Sequence, residues 1–188
     1  KSKEYQKVVI SILKNFLPTP SINELSEICL SKNSVKTKLA AAFQSCCFSA
    51  GTIESISNDS SLAVTLLGTY KQKSFDSRLI EKYVLGETDS SESTKVKDKI
   101  STFEFNTLLS LNLQNASVQI PVYSGFDRFI TMTTPNIRHF KELCLSAFKH
   151  SADFESNKSY EYIEDISPIS YLGMHLGAIS TSTSLVKE

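Results

Sequence analysis

The 188-residue chain has no tryptophan, two methionines and no net charge, with 20 Lys and Arg against 20 Asp and Glu. The missing net charge excludes a strongly basic nucleic-acid binder and an acidic solvating tail. No apolar run approaches the roughly 18–20 residues that a membrane span needs. No two of the four cysteines form C-x-x-C, and His139, His150 and His175 do not stand at zinc-ligand spacing from them. There is no G-x-S-x-G and no H-E-x-x-H. The nearest approach to a phosphate-cradling G-x-x-x-x-G-K-[ST] is GTYKQKS at residues 68–74, which lacks the second glycine and brings Lys73 one position early. No apolar run ends in an Asp-Glu pair suited to holding magnesium. The chain therefore contains no metal site, no cofactor site and no catalytic constellation of its own.

What is present is 40% hydrophobic and 21% charged, enough to bury a core. Thirty serines make chance motifs common, so the N-x-[ST] sequons at Asn58, Asn115 and Asn157 carry little. Cys29, Cys46, Cys47 and Cys144 all fall in apolar helical stretches and read as free thiols in a reducing cytosol, which makes the chain cytoplasmic. It begins at Lys1 without a signal h-region and ends inside a helical pattern, as a piece of something longer would.

The periodicity predicts a mainly α fold. Val8, Val9, Ile12, Leu13 and Phe16 share one helical face, and Pro18 and Pro20 end that helix. Ser21 with Glu24 reads as a capping box opening a second helix. Residues 34–48 read as a third, broken by Gly51. Residues 52–73 mix β-branched and aliphatic residues and suit either a short strand pair or a helix. Residues 75–85 are helical, with Gly86 as the C-terminal cap. Residues 87–98 hold one hydrophobic residue and read as an exposed linker. This divides the chain into an N-terminal helical lobe, 1–86, and a C-terminal one, 99–188.

In the second lobe, 100–113 and 125–132 read as helices. A further helix at 135–149 has Thr134 as N-cap and Pro135 at its first position. Residues 153–165 form an acidic connector. From Ser167-Pro168 onward, Ile169, Leu172, Leu176, Ile179, Thr183 and Val186 recur at 3-4 spacing, a narrow seam for one partner helix. Gly173 and Gly177 share a face and permit close helix approach. Residues 21–39 have a helix-turn-helix flavour, with a turn around Ser31–Ser34 and Lys36 and Lys38 exposed toward DNA. The turn has no glycine and basic residues are few, so direct nucleic-acid binding is not the leading expectation.

Residues 123–150, YSGFDRFITMTTPNIRHFKELCLSAFKH, resemble the lid segment of origin-recognition-complex-like AAA+ P-loop ATPases. Tyr123, Gly125, Phe126 and Asp127 match its aromatic-x-Gly-aromatic-acidic start. Asn136, Arg138 and Phe140 match the turn and helix that follow. The resemblance covers roughly residues 100–188. Thr133-Thr134-Pro135 stands where that family has Ser-Gly, so the turn differs.

The resemblance implies that Arg138 is a sensor-2 arginine, reaching from the lid to the γ-phosphate of ATP bound to a core. A guanidinium stays charged and binds phosphate oxygens in bidentate fashion. From residue spacing alone, Arg138 also suits an i,i+4 surface pair with Glu142. The leading expectation is a non-catalytic lid or regulatory portion of a larger ATPase. Its partner would be a nucleotide-binding core in cis or in trans, and ATP and Mg would enter only with that core. The rival expectations are a helical protein–protein interaction module using the Ile169–Val186 seam, and a small DNA-binding regulator using Lys36 and Lys38.

Overall fold

The structure is a computed structural model that describes residues 2–114, 119–134, 136–151 and 168–185. Its regular elements among the described residues are all helices: α1 (Ser2–Phe16), α2 (Ile22–Ser31), α3 (Asn33–Cys46), α4 (Ala50–Ser57), α5 (Ser60–Thr69), α6 (Ser77–Leu85), α7 (Ser90–Gln114), α8 (Phe126–Thr133), α9 (Ile137–Lys149) and α10 (Tyr171–Leu185). None is long and apolar enough to cross a membrane. They group into two compact units, residues 1–20 with 121–188, and residues 21–120.

The 21–120 unit is organised by its caps. Ser21 Oγ accepts from Glu24 N at 3.2 Å while Glu24 Oε2 accepts from Ser21 N at 2.7 Å, a complete capping box. Asp59 and Asp76 cap α5 and α6, and Gly86 closes α6 at φ 74°. α5 has no charged residue and buries Leu62, Ala63, Val64, Thr65, Leu66 and Thr69 among its neighbours. The surrounding core holds Phe43, Ile56, Ile80 and Val96. At Gly68 the side chain of Thr107 occupies the space a Cβ would need, so α5 and α7 approach closely there.

Three expectations are corrected in this unit. Residues 52–73 form helices α4 and α5 rather than a strand pair. Burial around most of α5 erases the periodicity that identifies a helix. Residues 87–98 are not a linker between lobes, because α7 starts at Ser90, with Asp89 Oδ1 accepting from Glu92 N at 2.7 Å. The single apolar residue of that stretch, Val96, is fully buried, and the polar residues clothe the outer face of α7. The units accordingly divide beside Pro20 and Pro121, not at 87–98. Gly51 does not end α3: Cys47 does so in the left-handed conformation, and Gly51 lies inside α4.

The other unit joins the two ends of the chain. Phe126 N donates to Leu17 O at 2.9 Å and Ile169 N to Phe16 O at 3.0 Å, so the end of α1 is pinned to the starts of α8 and of the α10 segment. Leu17, Phe126, Phe129, Phe140, Leu143, Ala147, Ile169, Met174 and Ala178 form its core. Gly125, at φ 104°, presses on Thr19, a conformation and an approach that both require glycine. The acidic connector at 153–165 and Pro135 lie outside the described residues.

Candidate functional site

The α8–α9 segment carries the residues singled out above. Gly125 opens α8, and Phe126 sits against Phe140 of α9 edge-on, 5.9 Å between ring centres. Tyr123 stacks on the buried ring of His175 at 5.4 Å. Asp127 is exposed and pairs with Lys14 at 3.0 Å. The aromatic members of the pattern therefore build the core, and Gly125 admits the close passage of residue 19.

α8 ends with the hydroxyls of Thr133 and Thr134 donating to Phe129 O and Ile130 O at 2.7 and 2.6 Å. Thr134 is extended, as the residue before a proline must be, and so caps the end of α8 rather than the start of α9. Asn136 is the N-cap of α9, its Oδ1 accepting from Arg138 N at 3.0 Å.

Arg138 thus stands in the first turn of α9, where the helix terminus favours anions. Its side chain is 81% exposed, and its Nε donates to Glu142 Oε1 at 2.8 Å. The i,i+4 pair read from spacing is present. Next in sequence to Arg138, Ile137 is 67% exposed, and Ile130 of α8 is 42% exposed. The two border a shallow cleft of about 150 Å³ with Thr134, Asn136 and Phe140. Helical spacing places Ile137 on the same apolar face as Phe140 and Cys144, so the sequence gives no sign of this exposed border. A second hollow of about 350 Å³ lies between the end of α8, α9 and α10, lined by Met132, His139, Leu143, Ala178 and Thr181.

The remaining expected residues are not gathered here. Ile169 is buried in the core, Leu172 and Ile179 are exposed, Leu176 is half-buried and Val186 lies outside the described residues. The seam is therefore split between core and surface. Lys36 and Lys38 are exposed on α3, but Lys32 alone joins α2 to α3. The turn expected around Ser31–Ser34 is absent, since a helix-turn-helix needs a connection of about three to four residues.

Titratable groups add no chemistry at this site. Burial pushes the Cys29 thiol up to about 12 and the Cys144 thiol to about 11, which suits inert core thiols. Cys47 is exposed at the end of α3, against the expectation that every cysteine lies in an apolar stretch. Burial lowers the pKa of His175, whose Nδ1 has no hydrogen-bond partner. Among the described residues no three His, Cys, Asp or Glu side chains cluster to hold a metal ion.

A family profile described as ORC-CDC6-like matches residues 3–188. The chain belongs to the ORC-CDC6-like family. Membership relates it to the AAA+ ATPases, and it reaches well beyond residues 100–188, where the resemblance was legible. No curated protein and no solved structure matches the chain. In this ORC-CDC6-like chain, residues 3–99 supply helix caps and core side chains without a motif that would have revealed their membership.

Proposed function

We propose that this ORC-CDC6-like chain is a non-catalytic, helical lid or regulatory portion of an ATP-dependent P-loop ATPase. It packs on a nucleotide-binding core supplied in cis or in trans, and ATP and Mg belong to that core. The observation that carries this reading is the position of Arg138. A largely exposed guanidinium stands in the first turn of a capped helix, next in sequence to the exposed Ile137, which shares a shallow cleft with the exposed Ile130. Those apolar residues suit a surface that another domain covers. An exposed Arg–Glu pair contributes only about 0–1 kcal/mol, so a phosphate offering two oxygens can displace Glu142 from the guanidinium. At the γ-phosphate, Arg138 would neutralise charge on the transferring group and couple lid position to nucleotide state.

The test is nucleotide binding and ATPase turnover by the 188-residue chain, by the core, and by both together. The chain alone should neither bind nor hydrolyse ATP. With the core supplied, Arg138→Ala should lower turnover while the two parts still associate. ATPase activity in the chain alone would overturn the reading, and unchanged turnover in Arg138→Ala would remove Arg138 from it. The interaction-module reading is favoured by one separate observation, the exposed face of α10. The described residues provide nothing that favours the DNA-binding reading.

A further inference from the structure

Asn136 uses every polar group it has. Its N–H donates to Thr133 O, its O accepts from Phe140 N at 3.3 Å, and its Oδ1 accepts from Arg138 N at 3.0 Å. Its side-chain Nδ2 lies 3.3 Å from Nε2 of His139. Arg138 is therefore held twice, its main chain by Asn136 and its guanidinium by Glu142.

These contacts dictate the state of the His139 ring. An Asn amide has an acceptor on one side and two donors on the other. With Oδ1 on the Arg138 N–H, the NH2 group faces His139. A turned amide would set that NH2 against the Arg138 N–H, donor to donor, and the cap would be lost. Nε2 must then accept, so the ring is neutral and carries its proton on Nδ1. A free histidine side chain adopts that tautomer less often. The half-buried ring also borders the hollow at the end of α8, where Met132, Thr133, Leu143, Ala178, Thr181 and Ser182 bring no charge to it.

We infer that His139 is a positioning residue for Arg138: its Nε2 accepts from Asn136 Nδ2 and so keeps the Asn136 amide turned to cap α9. Asn caps a helix through one oxygen, and unlike Asp it can present the wrong atom. His139 removes that choice. The first turn, and with it the base of the Arg138 side chain, then has one geometry rather than two. The consequence for turnover rests on the proposed role of Arg138, and the oriented cap does not.

Nitrogen-15 shifts of the imidazoles in the unsubstituted 188-residue chain read the tautomer at about pH 8, above the ordinary histidine range. His139 should carry its proton on Nδ1, and a ring protonated on Nε2 would overturn the inference. Water exchange of the Arg138 amide is the second readout. His139→Phe should speed it about two- to tenfold, the usual worth of one hydrogen bond, with the circular dichroism unchanged. In an Asn136→Ala background the same change should have no effect, because no amide is left to orient. Unchanged exchange in His139→Phe, or an equal change in both backgrounds, would also overturn the inference. With a nucleotide-binding core present, His139→Phe should lower turnover by less than Arg138→Ala does, and should add nothing to Arg138→Ala. Turnover that falls in Arg138→Ala but not in His139→Phe would end the positioning role. If Arg138→Ala leaves turnover unchanged, the proposed function fails, and the tautomer and the amide exchange decide this inference by themselves.

Discussion

Gly177 of α10 lies so close to Ala147 of α9 that a Cβ at Gly177 would stand 2.5 Å from the Ala147 nitrogen. The obstruction is backbone, which cannot rotate aside as a side chain can. Gly177→Ala should therefore force the two helices apart and cost about 1–3 kcal/mol, the usual range for overpacking. Gly51, in α4, has open space around it and makes the control. Gly51→Ala should be neutral or stabilising by up to about 1 kcal/mol through helix propensity and reduced unfolded-state freedom. Paired denaturant titrations measure both, and an equal response of the two variants would refute the close approach.

His175 makes stability depend on pH. Its ring is 1% exposed and stacked on Tyr123, and burial lowers its pKa from the ordinary 6.5. Below about 6.5 the unfolded chain takes up a proton that the folded chain refuses. The His175 contribution is thus complete above that pH and is lost as pH falls toward the lowered folded value, with a slope of at most about 1.4 kcal/mol per pH unit. His175→Phe keeps a ring against Tyr123 and removes the unpartnered nitrogen. Its unfolding free energy should vary less between pH 7 and 5 than that of the parent, and an identical slope would assign the dependence to other groups.

Much of the helical order was legible because caps are local. Ser21 with Glu24 and Gly86 act as their residue types and spacing dictate, and the Arg138–Glu142 pair follows from i,i+4 geometry alone. What failed depends on distant neighbours. α5 is enclosed by its unit, so its pattern shows no period. Residues 90–98 present a polar face with Val96 as their one inward anchor, which in sequence resembles a linker. Ile169 to Val186 repeats at 3-4 spacing, yet it is the small Gly177 that lies against Ala147 of α9, with Met174 and Ala178 buried beside it. Small residues permit the closest backbone approach, and a hydrophobicity pattern ranks them below Leu and Ile. The candidate site was legible at Arg138 and Asn136 but not at the exposed Ile130 and Ile137 beside them, since an apolar side chain in sequence does not disclose whether it is covered.

A buried polar contact holds α2 to α7. Ser26 Oγ donates to Glu104 Oε1 at 2.7 Å, with Ser26 fully buried and Glu104 7% exposed. Ser26→Ala removes the donor and leaves a carboxylate oxygen inside, for a cost of about 1–3 kcal/mol. Glu104→Gln preserves an acceptor for the same hydroxyl and should cost less. The ordering of the two variants in urea midpoints is the check, and a harmless Ser26→Ala would mean that Glu104 has an equivalent partner.

The four thiols should differ in reactivity. Cys47 is exposed, whereas Cys29 is fully buried and burial pushes its thiol up to about 12. Thiolate is the reacting form, so Cys47 should be modified first by a disulfide reagent near pH 8 and Cys29 only on unfolding. Mass mapping of the native chain resolves the order. Early labelling of Cys29 would show that its unit opens readily.

Glu142 separates the structural role of Arg138 from its proposed one. The pair is exposed, so Glu142→Ala should change stability by no more than about 0.5 kcal/mol. If Glu142 only parks the guanidinium until phosphate arrives, its removal should leave Arg138 available and, with a nucleotide-binding core present, should preserve or strengthen nucleotide affinity. Arg138→Ala should weaken nucleotide affinity in the same assay while costing equally little stability. Titrating a fluorescent ATP analogue against core and chain together reads both variants. Equal loss of affinity in the two would mean that the ion pair itself shapes the surface, and Arg138 would then be a structural residue of α9.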